Sequence, residues 1–229
     1  MKNIDIMVIT PHPDDAEFGV AGTVVKWVRA GKKIIYVVCT NGDKGSSDHE
    51  MHPEKLAKIR EEEQLAAARL LGVNEVIFLR HEDQSLEDTP EFRKEIVRLI
   101  RQYRPETVVS ADPYKRYIWH RDHRITGQVV LDAIFPFARD YMSYPDLIEE
   151  DLKPHKVKEV LLWASEQPNY FSNITDTYDT KIAALRCHHS QMSVLPEGWE
   201  DHIRARYESM AEGKDFPLAE AFHRVEILW

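Results

Sequence analysis

Cysteine is nearly absent from this chain: Cys39 and Cys187 are the whole complement in 229 residues, and they form no CxxC pair. That excludes a disulfide framework and a thiolate zinc site, and two reduced thiols suit a cytoplasmic setting. Long apolar runs are missing as well. No stretch approaches the roughly 20 residues of a membrane helix, and no basic segment followed by an apolar core opens the chain as a secretion signal would. Nor is there a basic excess: 30 Lys and Arg stand against 39 Asp and Glu, for a formal net charge of −9, which argues against a nucleic-acid surface. Glycine is sparse, and no GxGxxG or P-loop spacing follows a strand; Gly42 and Gly45 alone do not make a phosphate cradle. Repeats and low-complexity linkers are absent.

The remaining composition is that of an ordinary globular protein, 43% hydrophobic and 30% charged. The length suits a single domain spanning 1–229 that buries its own core. Strand-like and helix-like segments alternate. Strands are expected at Ile4–Thr10, Lys33–Cys39, Glu75–Leu79, Thr107–Ala111 and Val157–Trp163. Helices are expected at Ala16–Ala30, Pro53–Leu71, Pro90–Tyr103, Arg121–Ala138 and Thr177–Cys187, with mostly helical signals over Gly198–Gly213 and Pro217–Trp229. Pro53 sits at an opening turn, where a missing N–H costs nothing, and Gly72 ends the same helix. The alternation predicts an α/β fold: a Rossmann-like parallel sheet with helices on both faces and a small C-terminal elaboration.

Two polar clusters fall where such a sheet places its ligands, outside the carboxyl ends of strands. The first, Pro11-His12-Pro13-Asp14-Asp15-Ala16-Glu17, joins the first strand to the first helix. Either aspartate could simply cap that helix and complement its dipole. The same residues could instead hold a cation, with His12 and Asp15 converging and the remaining carboxylate, Asp14, left free as a general base. The second cluster, His120-Arg121-Asp122-His123, follows the fourth strand. Its bland reading is a solvated helix start, with Asp122 as dipole partner. Its two histidines are three apart and share one side of a helical turn. Taken together, two histidines and one carboxylate form a catalytic zinc set that leaves a position open for water.

On these residues the chain resembles the LmbE-like or PIG-L-like N-acetylglucosaminyl deacetylases. Further points of resemblance are Gly19 and Gly22-Thr23, Thr40 through Gly45, Arg60 with Glu63, Leu70-Leu71-Gly72, and Lys181 followed by Cys187-His188-His189-Ser190-Gln191. The resemblance implies that His12, Asp15 and His123 hold the metal, zinc or another divalent ion such as Fe2+. It implies that Asp14 is the general base, that a charged His120 assists the tetrahedral intermediate and leaving amine, and that Asp122 orients His120. It implies Arg60 and His188 as substrate-binding residues, a small amino-sugar substrate, loss of an acetyl group as acetate, and a homo-oligomer. Arg139–Tyr144 and Ile227–Trp229 are the candidate contact surfaces for that oligomer. Two positions depart from the pattern: Ala16 separates the aspartate pair from Glu17, and Asn173 stands where many relatives carry an aspartate. No tyrosine matches a catalytic position; Tyr114 and Tyr117 lie in the loop before His120.

Other polar or aromatic residues take plain readings. His81, Glu82 and Asp83 are expected in a solvated loop, Trp119 as a packing residue, and both cysteines as small apolar side chains. Two rival functions share parts of this pattern. A metal amidase acting on a thiol-sugar conjugate would use the same metal residues. A non-catalytic Rossmann-like nucleotide-binding protein would share the sheet but lacks the glycine fingerprint.

Overall fold

A computed structural model describes residues 4–228. In chain order the elements are β1 (Ile6–Thr10), α1 (Asp15–Gly19), α2 (Ala21–Arg29), β2 (Ile34–Thr40), α3 (Pro53–Leu71), β3 (Glu75–His81), α4 (Pro90–Tyr103), β4 (Thr107–Ala111) and α5 (Arg121–Asp132). They continue with α6 (Pro145–Glu149), β5 (Glu159–Trp163), β6 (Tyr170–Asn173), α7 (Tyr178–Arg186), α8 (His189–Met192), α9 (Trp199–Met210) and β7 (Ala219–Glu226). The strands form one sheet in the order β3-β2-β1-β4-β5-β7-β6. The five strands from β3 to β5 run parallel, while β7 pairs antiparallel with both β5 and β6.

The period-2 geometry of strands divides the core between two faces. Met7, Ile9, Ile35, Val37, Val108 and Leu162 face α4 and α5. Their sequence neighbours Ile6, Val8, Ile34, Tyr36, Val109 and Trp163 face the side of α2, α3 and α7. Both faces are covered, so β1, β2 and β4 are buried along their whole length, as parallel strands between helical layers must be. A third, smaller cluster around Ile174, Tyr178, Leu185 and Tyr207 is the core of the C-terminal elaboration. After β3 the chain returns to the other side of β1 to form β4, so the switch in strand order lies between β1 and β4. Ligands in this architecture gather there.

Several elements differ from the sequence expectation. The first helix is broken at Val20 (φ −146°, ψ 0°) into α1 and α2. Gly19 packs against Trp163, where an added Cβ would lie 2.8 Å from the indole. The helix expected to reach Ala138 stops at Asp132, and a π-helical turn over Ala133–Phe137 follows. Pro136 removes a donor and pushes Phe135 out of helical geometry, to φ −145°, ψ 117°. The C-terminal stretch is not helical but β7, and β6 was not expected at all. A buried Glu220 inside β7 disguises the alternation that marks a strand. Of the expected contact stretch Ile227–Trp229, Trp229 lies outside the described residues.

Candidate metal centre and active site

The turn after β1 sets Asp14 in the left-handed region, at φ 89°. A non-glycine residue there is held by its surroundings, and the holders are visible. Gln64 Oε1 accepts the Asp14 backbone N–H at 3.0 Å. Arg60 Nη2 donates to Asp14 Oδ2 at 3.0 Å and to the Pro13 carbonyl at 2.7 Å, and Arg60 Nη1 donates to the Gly42 carbonyl at 2.9 Å. Gly42 has to be glycine: its φ is +62°, and a Cβ would stand 2.5 Å from the guanidinium. Arg60 and Gln64 lie four apart on one face of α3, so a single helix face braces the turn.

Arg60 is 4% exposed. It was expected to touch substrate; its two terminal nitrogens bond protein atoms and position Asp14, while Nε is buried without a partner. His188 was expected in the same role and is fully buried; its Nε2 lies 3.1 Å from Glu17 Oε2. Gln64 Nε2 donates to the other Glu17 oxygen at 3.0 Å. Burial works against the charged form of His188, yet Glu17, with Asp14 beyond it, raises its pKa. Burial also pushes Asp14 up, to about 6, against the nearby Arg60 charge and with a contribution from Asp15.

Asp15 joins the two motifs. Its Oδ2 lies 3.0 Å from His12 Nδ1, and its Oδ1 lies 3.1 Å from His123 Nε2. On the far side of the His12 ring, Nε2 faces Asp122 Oδ2 at 3.2 Å and Asp83 Oδ1 at 3.1 Å. One N–H can donate to only one of them. Asp122 receives it in good geometry, and Asp83 Oδ1 is left buried without a hydrogen bond. Burial opposes a charged His12, but Asp122, Asp15 and Asp83 together hold its pKa well above the ordinary range. Asp15 is held below the usual carboxylate range: burial opposes this, and His123 and His12 overcome it.

Four carboxylates, those of Asp14, Asp15, Asp83 and Asp122, are thus crowded together, with the Arg60 guanidinium on Asp14 and the Lys44 ammonium on the Asp83 carbonyl. The orphaned Asp83 oxygen, and a His12 pKa held up by three surrounding carboxylates, are what such a cluster shows when positive charge is in short supply. Imidazole nitrogen and carboxylate oxygen are the donors a borderline divalent ion takes, so the residues fit a metal. His12, His120 and His123 each offer a nitrogen within 4.8 Å of the others, as do the donor atoms of His12, Asp83 and Asp122.

One expected contact is replaced. The Asp122 carboxylate does not orient His120; it accepts from the Gln84 and Leu86 N–H groups and faces His12. His120 caps α5, its Nδ1 accepting the Asp122 backbone N–H at 3.2 Å. Its pKa is lowered, first by burial and then by the neighbouring His12 and His123, a direction that works against the charged ring that was expected. Asp83, expected in solvent, is 4% exposed. Its place at the end of β3, on the same rim as the two motifs, was the available signal. Glu17 and Gln64 carried no signal beyond their spacing from Asp14 and Arg60.

A cavity of about 200 Å³ opens beside this cluster. Asp15 and His123 line it together with Trp119 and Trp163. Trp119 packs 4.4 Å from the His123 ring and donates Nε1–H to the Asp112 carbonyl, so it serves both as packing and as an aromatic wall.

Residues 7–134 match the family model described as PIG-L, GlcNAc-PI de-N-acetylase. The chain belongs to this family. It is 36% identical over 200 residues to the diacetylchitobiose deacetylase of Thermococcus kodakarensis, covering 87% of this chain and 74% of the relative. It is 27% identical to a protein of Bacillus anthracis named probable N-acetyl-alpha-D-glucosaminyl L-malate deacetylase 2, covering 89% of this chain and 90% of that one. The solved N,N′-diacetylchitobiose deacetylase of Pyrococcus horikoshii superposes with a TM-score of 0.91 at 31% identity, covering 97% of this chain and 84% of that one. The PIG-L assignment agrees with the sheet order and with both motifs at the switch point. Among the described residues, no helix is long and apolar enough to cross a membrane.

Proposed function

We propose that this PIG-L protein is a zinc-dependent hydrolase that removes the acetyl group from an N-acetylglucosamine-type amino sugar or its conjugate. The observation that carries the reading is Asp15 spanning His12 and His123 beside an aromatic-lined cavity, with Asp14 next to it. His12, Asp15 and His123 would hold the metal, which supplies Lewis acidity to the acetamide carbonyl and lowers the pKa of a water toward about 7.

The remaining work falls to side chains. Asp14 takes a proton from the attacking water, and its raised pKa suits a base acting near neutrality. The water oxygen bonds to the acetamide carbon. His120 accepts at Nδ1, so its neutral tautomer carries the proton on Nε2, and that N–H can donate to the developing oxyanion. Asp14 then returns its proton to the nitrogen as the C–N bond breaks, giving acetate and a free amine. Arg60 and Gln64 hold Asp14 in place throughout, and Trp119 and Trp163 offer apolar faces to the sugar ring.

The test is acetate release from N-acetylglucosamine and its conjugates by zinc-replete protein and by protein stripped with a chelator. Release that depends on metal supports the reading. A replete protein that binds zinc and releases acetate from none of them overturns it.

A further inference from the structure

The cavity carries a charge pattern that the deacetylation chemistry does not use. Among the residues lining it, Asp15 is the one acid, and it belongs to the metal cluster. Lys115 and Arg206 line the same cavity. Neither forms an ion pair or side-chain hydrogen bond among the described residues, whereas the neighbouring Arg116 and Arg204 are taken by Glu166 and Glu208.

The sequence explains why Arg206 is bare. On α9 its neighbours three and four positions away are His202, Ile203, Ser209 and Met210, so no carboxylate is within helical reach. Its place beside the site is fixed by the next residue: Tyr207 is 2% exposed, and its hydroxyl donates to the Phe18 carbonyl on α1, the helix that begins with Asp15. Lys115 stands over the Trp119 ring, its Nζ 4.3 Å from the centroid. Stacking on an aromatic face forms no salt bridge, and Glu166, whose hydrogen bonds go to Arg116, meets the ammonium only through space. The chain as a whole carries a net charge of −9, so it repels anions in general, and two unpaired cations at one cavity offset that locally.

We infer that the sugar taken by this site carries an anionic group, phosphate or carboxylate, which Lys115 and Arg206 receive while the acetamide reaches the metal end. The inference rests on the deacetylase reading and narrows its substrate class.

Binding is read by quenching of tryptophan fluorescence in zinc-replete protein at low ionic strength, since Trp119 and Trp163 wall the cavity. The probes are N-acetylglucosamine 1-phosphate, its 6-phosphate and N-acetylglucosaminyl malate, against neutral N-acetylglucosamine and N,N′-diacetylchitobiose. At least one anionic probe is expected to bind about tenfold more tightly than the neutral sugars, as one charge-assisted contact would give. Arg206→Glu and Lys115→Glu should each erase most of that ratio, and added salt should shrink it. Equal binding of neutral and anionic sugars overturns the inference. So does a preference that survives in both variants, which would place the anion on the metal, or inorganic phosphate competing as well as the sugar phosphates. Acetate release from the same probes is measured in parallel. An intact anion preference with no acetate from any probe sinks the deacetylase reading and leaves the anion site standing.

Discussion

Lys181 and Glu220 form an ion pair in which neither side chain has any solvent exposure, with Nζ 2.7 Å from Oε1. Lys181 also donates to the carbonyls of Glu17 and Phe18, so all three ammonium protons are used. Glu220 accepts from the Gly22 and Thr23 N–H groups and from the Thr23 hydroxyl. The pair therefore ties α7 and β7 to the α1–α2 break, next to the turn that carries Asp14 and Asp15. Removing one partner strands the other as a buried charge. Lys181→Met should cost about 3–5 kcal/mol in urea unfolding, and Lys181→Met with Glu220→Leu should recover much of that. A single variant within about 1 kcal/mol of the parent would show that the pair is not structural.

His123→Ala should abolish stoichiometric metal. The ring supplies one of two imidazoles on Asp15, and its loss leaves a single histidine and a carboxylate. Elemental analysis after gel filtration decides: full zinc occupancy in the variant removes His123 from the ligand set.

Asp14→Asn should keep its metal and lose turnover by about 10²–10⁴-fold, the usual worth of a general base. The amide still accepts from Arg60, so the strained turn is preserved and the loss falls on kcat. Near-parental turnover in a metal-replete variant would assign the base elsewhere.

The parallel half of the fold was legible because burial on both faces writes continuous apolar strands, and because Pro53, Gly72 and Pro90 punctuate the helices between them. The bounds of α3, α4 and β4 follow the sequence reading residue for residue. The antiparallel edge was not legible: β7 interleaves Glu220, His223 and Arg224 with its apolar positions, and Glu220 points inward to meet a lysine from another element. The site divides in the same way. His12, Asp15 and His123 meet because two strand ends adjoin, which a motif can announce. That Asp122 serves His12 rather than His120, and that Asp83 joins it, depends on how the loop of residues 82–89 folds over α5, and no local spacing encodes that.

His155 provides a pH test away from the metal. Its Nε2 donates to the Pro105 carbonyl at 2.7 Å. Burial depresses its pKa below 6.5, the Pro105 hydrogen bond opposes this, Arg104 and Lys158 add to it, and Glu106 works against it. Asp5, Lys33 and Lys156 line the same surface hollow. A depressed folded-state pKa means that the unfolded chain takes up the proton first as pH falls. The stability this group contributes is present above about 6.5 and is lost as pH drops below that value toward the folded pKa. His155→Gln keeps an N–H donor and cannot titrate. Between pH 7.5 and 5.5 the parent should lose more melting temperature than the variant, and parallel losses would refute the assignment.

The last test separates the two carboxylates on His12 Nε2. Asp122 receives the ring N–H in hydrogen-bond geometry, is fully buried, and also accepts from the Gln84 and Leu86 N–H groups. Asp83 lies at a similar distance without that geometry, and its other oxygen takes the Lys44 N–H at 3.3 Å. A carboxylate behind a ligating histidine fixes the ring and strengthens it as a donor, and its removal costs about 10–100-fold in metal affinity or activity. Asp122→Asn should show that loss, because an amide is a weaker acceptor and the loop over α5 is partly released with it. Asp83→Asn should lose less, since Asp122 still holds the ring and the variant relieves crowding among four carboxylates. Zinc dissociation constants from competition with a chromogenic chelator give the order directly. If Asp83→Asn weakens zinc binding as much as Asp122→Asn or more, Asp83 belongs to the metal itself, and the second cluster of His12, Asp83 and Asp122 is where the ion sits.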